Sequence, residues 1–90
     1  MPIIFSSAAW EDYQYWLKHD KKMVDKINKL IRDSLRNPFE GIGKPEPLKL
    51  NLRGLWSRRI NDEHRLIYEY NGGNLSIVSC RHHYQVHYSA

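Results

Sequence analysis

A chain of 90 residues that is 41% hydrophobic, with three Trp, six Tyr and two Phe, holds enough apolar surface for one core in one domain and is excluded from the disordered class. No apolar run is long enough to span a bilayer, Met1-Pro2-Ile3-Ile4-Phe5 has no basic leader of a secretory signal, and the single Cys80 cannot form an internal disulfide, so a cytosolic location is expected. The formal net charge of +4 is unevenly spread: Lys44 to Arg59 carries five basic residues against one acid, which suits a polyanionic partner and equally a bare solvated face.

In chain order, Pro2 to Phe5 is a short apolar strand candidate. Ser7 is placed to cap a first helix, with Glu11 and Asp12 near its positive end and Trp10, Tyr13 and Leu17 on one face. A second helix starts at Asp20. Its stripe of Met23, Val24, Ile27, Leu30, Ile31 and Leu35 is the clearest periodic signal in the chain, and Asn37-Pro38 ends it. Phe39 to Pro47 holds two Gly and two Pro and reads as a loop whose rigid Pro45-Glu46-Pro47 segment presents Glu46. Beyond it the period becomes two. Leu55 to Ile60, Arg65 to Tyr70 and Leu75 to Tyr84 read as strands, with a turn at Asn61-Asp62 and a hairpin at Asn71-Gly72-Gly73-Asn74. The expected domain is α+β, two N-terminal helices packed on an antiparallel sheet. Strict alternation groups Ile77, Ser79, Arg81 and His83 on one face, which would bring His83 beside Arg65, although a single bulge would reverse that placement.

Glu46, Arg65 and His83 form a set with one chemical meaning. A carboxylate can take the proton of a ribose 2'-hydroxyl, an imidazole can protonate a departing 5'-oxygen, and a guanidinium can hold the phosphate between them, with no metal or cofactor. The combination Trp10-Glu11-Asp12-Tyr13, Pro38-Phe39-Glu40-Gly41, Gly43 to Leu48, Trp56 to Ile60, Glu63 to Leu66 and Arg81-His82-His83-Tyr84 resembles the Txe/YoeB toxins of bacterial toxin-antitoxin systems, within the RelE-like superfamily. The likeness is collinear from about Phe5 to Tyr84. It implies a microbial ribonuclease fold over residues 1–84 and a toxin that inhibits translation by cleaving mRNA in the A site of the 70S ribosome. It also implies a YefM-like antitoxin that blocks the toxin and binds operator DNA together with it. Carried over residue by residue, it implies Glu46 as general base, His83 as general acid, Arg65 as the phosphate clamp, and Lys49, Arg59 and Tyr84 in supporting RNA contacts. Family members are often dimeric, which leaves a homodimer open. They commonly end at or just after the position of Tyr84, whereas Gln85 to Ala90 extend this chain, so the tail is expected to lower the His83 pKa or to cover part of the site.

Plainer readings stand beside these. Glu46 reads equally as a solvated loop acid, and Trp10, Tyr13 and Trp16 as packing residues. Only one of Arg58 and Arg59 can face the site, the other being left to the surface; His64 reads as a turn residue. Cys80, His82, His83 and His87 do not have the spacing of a standard zinc site. The alternative functions are a non-catalytic basic nucleic-acid-binding module and an antitoxin-binding regulatory subunit.

Overall fold

The computed structural model describes residues 1–82. Strand β1 (Ile3–Phe5) is followed by helix α1 (Ser7–His19) and helix α2 (Lys21–Arg36). Next come β2 (Glu46–Pro47), a 3-10 turn (Leu50–Leu52), β3 (Trp56–Arg59), β4 (Arg65–Asn71) and β5 (Asn74–Ser79). Both helices are capped by side chains. The cap of α1 is Ser6 rather than Ser7: its Oγ accepts from the amide of Ala9 at 3.0 Å and donates to the carbonyl of Val78 at 2.8 Å, tying the helix start to the sheet. Asp20 closes α1 and caps α2, its carboxylate accepting from the amide of Lys22.

The amphipathic stripe of α2 lies where expected, with Met23, Val24, Ile27, Leu30 and Ile31 buried and Leu35 packed at their edge. On α1 the inward residues are Ala9, Tyr13 and Trp16, at i, i+4 and i+7, whereas Trp10 and Leu17 remain 51% and 40% exposed. The expected face was therefore about one residue off. Trp16 turns in because its indole Nε1 finds a buried acceptor, the carbonyl of Cys80 at 2.9 Å.

The sheet has the order β1-β5-β4-β3-β2 and is mixed rather than antiparallel throughout, since β1 runs parallel to β5. The α1–α2 hairpin lies between β1 and the rest of the sheet in sequence, long enough to return the chain for a parallel pairing. Glu46 and Pro47, expected in an irregular loop, form an edge strand against Ser57 and Trp56. A proline at such an edge costs no interior hydrogen bond. Gly72 and Gly73, both at positive φ, make the two-residue turn between paired Asn71 and Asn74.

The β4–β5 register shifts where Ile67 faces Ser79 and the next residue, Tyr68, faces Ile77, so Val78 is skipped. This bulge overturns the strict alternation expected for the last strand. Ile77 and Cys80 both enter the core, while Ser79 is carried to the opposite face beside Ile67. The strand also ends at Ser79, short of the expected Tyr84. The core thus lies between the helices and one face of the sheet, where Leu66, Tyr68, Leu75, Ile77 and Cys80 meet Trp16, Val24 and Ile27.

Candidate active site

The sheet face turned away from the helices collects the charged residues. Directly paired residues share a face, so Glu46, Ser57, Ile67 and Ser79 form one row across β2, β3, β4 and β5, and Arg59 with Arg65 forms the next. Two residues along a strand separate the rows by about 7 Å. Ser57 and Ile67 are buried and make an uncharged floor; the Ser79 hydroxyl is also buried there, without a hydrogen-bond partner among the described residues. Glu46 and Arg59 stand exposed above that floor.

Arg65 is half-buried and held from below. Its Nη1 donates to the carbonyls of Asn61 at 2.7 Å, His64 at 3.1 Å and Asp62 at 3.3 Å, which fixes one edge of the guanidinium on the β3–β4 turn. Burial first, and Arg59 second, lower its pKa below the ordinary arginine value, while Asp62 and Glu46 act the other way. Glu46 is thus near enough for its field to be felt at Arg65. A planar cation anchored at one edge is organised for an anion without reordering its long side chain.

Lys49 follows Glu46 by three residues and leads into the 3-10 turn, exposed, on the same edge of the sheet. Glu46, Arg59 and Arg65 therefore share one face of the sheet, and Lys49 follows at its β2 edge without a pairing that assigns it to that face. His83 and Tyr84, with the tail, lie outside the described residues. The segment entering His83 is nonetheless well tied. The Asp12 carboxylate accepts from the amide of Cys80 at 3.0 Å, Arg81 stacks 3.5 Å over the Tyr15 ring, and the His82 amide donates to His64 Nδ1 at 2.8 Å. Burial raises the Asp12 pKa above 3.8 even though the Cys80 amide, Arg81 and His82 oppose it.

Of the two adjacent arginines, Arg59 shares the face of Arg65, as alternation allows. Arg58 is not at the surface. It is completely buried, its Nε donating to the Tyr68 hydroxyl at 2.9 Å and its Nη atoms to the Asp33 carboxylate at 2.7 Å and to the carbonyls of Asn37, Glu40 and Ile42. Asp33 in turn accepts from the amide of Ile42 at 2.9 Å. The network pins the chain between Asn37 and Gly43, the approach to β2 and Glu46. His64 is likewise more than a turn residue, being buried against Trp16 with its ring at 4.9 Å. The row of three loop carbonyls around Arg58 is made by backbone, which leaves no mark in side-chain patterning.

Residues 5–84 match the family described as YoeB-like toxin of bacterial type II toxin-antitoxin system. Toxin YoeB of Escherichia coli strain K12 is 57% identical over 84 residues, 93% of this chain and 100% of that one. Among solved structures, a YoeB/ParE toxin from Agrobacterium tumefaciens superposes with a TM-score of 0.92 at 46% identity, covering 93% of this chain and 100% of that one. YoeB of Staphylococcus aureus, solved as a dimer and in a heterotetrameric complex with YefM, gives TM-scores of 0.88 and 0.87 at 54% identity, covering 93% of this chain and 98% of each. YafQ of Escherichia coli, at 21% identity and a TM-score of 0.77, shares the fold.

Proposed function

The chain belongs to the YoeB-like toxins of bacterial type II toxin-antitoxin systems, and on that premise we propose that it is a metal-independent endoribonuclease that cleaves mRNA in the ribosomal A site. The observation that carries the proposal is the convergence of Glu46, Arg59 and Arg65 on the sheet face opposite the helices. Glu46 takes the proton from the ribose 2'-hydroxyl. The 2'-oxygen forms a bond to phosphorus as the bond from phosphorus to the 5'-oxygen breaks, and His83 gives that oxygen its proton. The products are a 2',3'-cyclic phosphate and a 5'-hydroxyl.

Charge on the phosphoryl oxygens grows as the 2'-oxygen attacks, and Arg65 meets it with donors not committed to Asn61, Asp62 and His64. One such aimed group is worth roughly 10²- to 10³-fold in rate. Arg59 and Lys49 hold neighbouring phosphates, and Tyr84 supports the same pocket. The roles of His83 and Tyr84 rest on sequence likeness. A YefM-like antitoxin is the proposed partner, with operator DNA bound by the pair and a homodimer as the free form; the YoeB–YefM and YoeB dimer structures support the antitoxin and the homodimer by likeness.

The test is primer-extension mapping of a defined mRNA on programmed 70S ribosomes with wild type, Glu46→Gln and His83→Gln. Cuts confined to a vacant A site and lost in both variants are expected. Cuts equally strong in either variant would remove that residue from the mechanism.

A further inference from the structure

We propose that His64 is a positioning residue for this reaction: by accepting the His82 amide on Nδ1, it fixes the backbone immediately before His83. The proposal rests on the endoribonuclease reading above and adds to it a residue with no direct part in the chemistry.

The imidazole sits in the turn between β3 and β4. Asn61 Oδ1 accepts from the amides of Glu63 at 2.9 Å and His64 at 2.7 Å, and the His64 carbonyl accepts from the amide of Ile60 at 3.0 Å, so both polar groups of its backbone are tied. The ring is set by packing, edge-on to Trp16 at 81°. A neutral imidazole that accepts at Nδ1 must carry its proton on Nε2, which here lies 3.6 Å from the Glu63 carboxylate. The charged or titratable neighbours of the ring are Glu63 on its own turn, Arg65 on β4, and Arg81 and His82 beyond β5; α1 meets it with the Trp16 indole.

The residue it holds is in need of holding. His82 has φ 71°, in the left-handed region that a side-chain-bearing residue occupies at a cost and keeps only when its surroundings impose it. Its amide goes to His64 Nδ1, and its carbonyl accepts from the amide of Arg65 at 3.2 Å. Both polar groups of one backbone residue are thus tied to two consecutive residues, the second of which is the phosphate clamp. The arrangement links the approach to the general acid to the strand that carries the cation. Packing against Trp16 alone would be met by any aromatic ring and gives no reason for an acceptor at Nδ1.

His64→Phe keeps a ring beside Trp16 and deletes the acceptor. His64→Asn places an amide oxygen near the former Nδ1 and leaves a gap beside Trp16. Three quantities are measured for each full-length protein: hydrogen exchange of the His82 amide by NMR, the urea midpoint, and single-turnover cleavage on programmed ribosomes with His83→Gln in parallel. The expected result is crossed. His64→Phe loses protection of the His82 amide by about tenfold or more and cleaves roughly 10- to 10²-fold more slowly, whereas His64→Asn keeps much of both despite a lower midpoint. Cleavage that follows the urea midpoint instead, or an unchanged His82 amide in His64→Phe, would overturn the positioning role. A wild type that cleaves nothing would overturn the endoribonuclease reading and this role with it. Loss in His83→Gln with full activity in His64→Phe would overturn this role alone.

Discussion

Replacing Arg58 by Met tests the most heavily bonded side chain in the fold. Met retains much of the aliphatic stem and deletes a guanidinium that makes five hydrogen bonds from a fully buried position. The carbonyls of Asn37, Glu40 and Ile42 lose their donor, and Asp33, 13% exposed, keeps its charge with only the exposed Arg36, 3.4 Å away, left to pair it. Breaking a buried pair by removing one partner costs about 3–5 kcal/mol, against a total of about 5–15 kcal/mol for a domain. With a urea dependence of about 1–3 kcal/mol per molar, the midpoint should fall by at least about 1 M. The backbone amide of Ile42, and then Arg58, hold the Asp33 carboxyl below 3.8. Its stabilising contribution is therefore present above about pH 3.8 and is lost as pH falls through the lower folded value. Urea titrations of Arg58→Met, Asp33→Asn and the double variant, followed by circular dichroism at pH 7 and pH 3, form the assay. Arg58→Met should cost less in the Asp33→Asn background by at least about 1 kcal/mol, because the charge that Arg58 neutralises at 2.7 Å is already gone. A single variant within about 1 kcal/mol of wild type, or strictly additive effects, would refute the reasoning.

Burial lowers the His64 pKa from 6.5 more strongly than Glu63 raises it, so the unfolded chain binds the proton first. Stability should then be complete above about pH 6.5 and decline as pH falls toward the folded value, and urea midpoints between pH 7.5 and 5.5 should show a shallower decline in His64→Phe. Gly43→Ala should destabilise by about 2–4 kcal/mol. At φ +79°, its new Cβ would lie 2.7 Å from Leu30 Cδ2 and 3.1 Å from the Arg59 carbonyl. Gly72→Ala, at φ +59° with nothing within 4 Å, should cost only about 1 kcal/mol, and thermal melts of the two variants compare them directly. Desolvation, reinforced by Asp12, pushes the Cys80 thiol up to about 12, and the side chain is fully buried against the Ala9 carbonyl. A chromogenic disulfide at pH 8 should therefore label native protein no faster than the protein opens; rapid full labelling would contradict the burial.

What could be read from sequence was what is locally encoded. The α2 stripe, the Asn37-Pro38 stop and the Gly72-Gly73 turn each follow from neighbours a few residues apart, and each lies where the pattern put it. Features set by distant partners were not legible. The parallel pairing of β1 depends on β5 lying free beside it, and the Glu46–Pro47 strand on an open edge at β3. Skipping Val78 reverses the faces beyond it, yet nothing in Ile77-Val78-Ser79-Cys80 marks one residue as extra. Alternation leaves whichever of Arg58 and Arg59 does not face the site to the surface, yet Arg58 is fully buried. Its burial is repaid by carbonyls that composition does not reveal. Glu46, Arg59 and Arg65 were singled out by residue chemistry and by likeness to a toxin family, and sheet pairing supplies the shared face. Ser57, Ile67 and Ser79, which floor that face, carried no signal of their own, since small and aliphatic residues fit any strand.

The most direct test of the central proposal is the single-turnover cleavage rate of Glu46→Gln on programmed ribosomes, compared with Glu69→Gln on the same face of the sheet. Glu69 lies on β4 two residues beyond Ile67, on the side away from Arg65, and has no assigned role. The account predicts a loss of at least about 10²-fold for Glu46→Gln and a rate within about threefold of wild type for Glu69→Gln. Equal rates in the two variants would contradict a catalytic carboxylate at Glu46 and leave the exposed charges of this face as a binding surface.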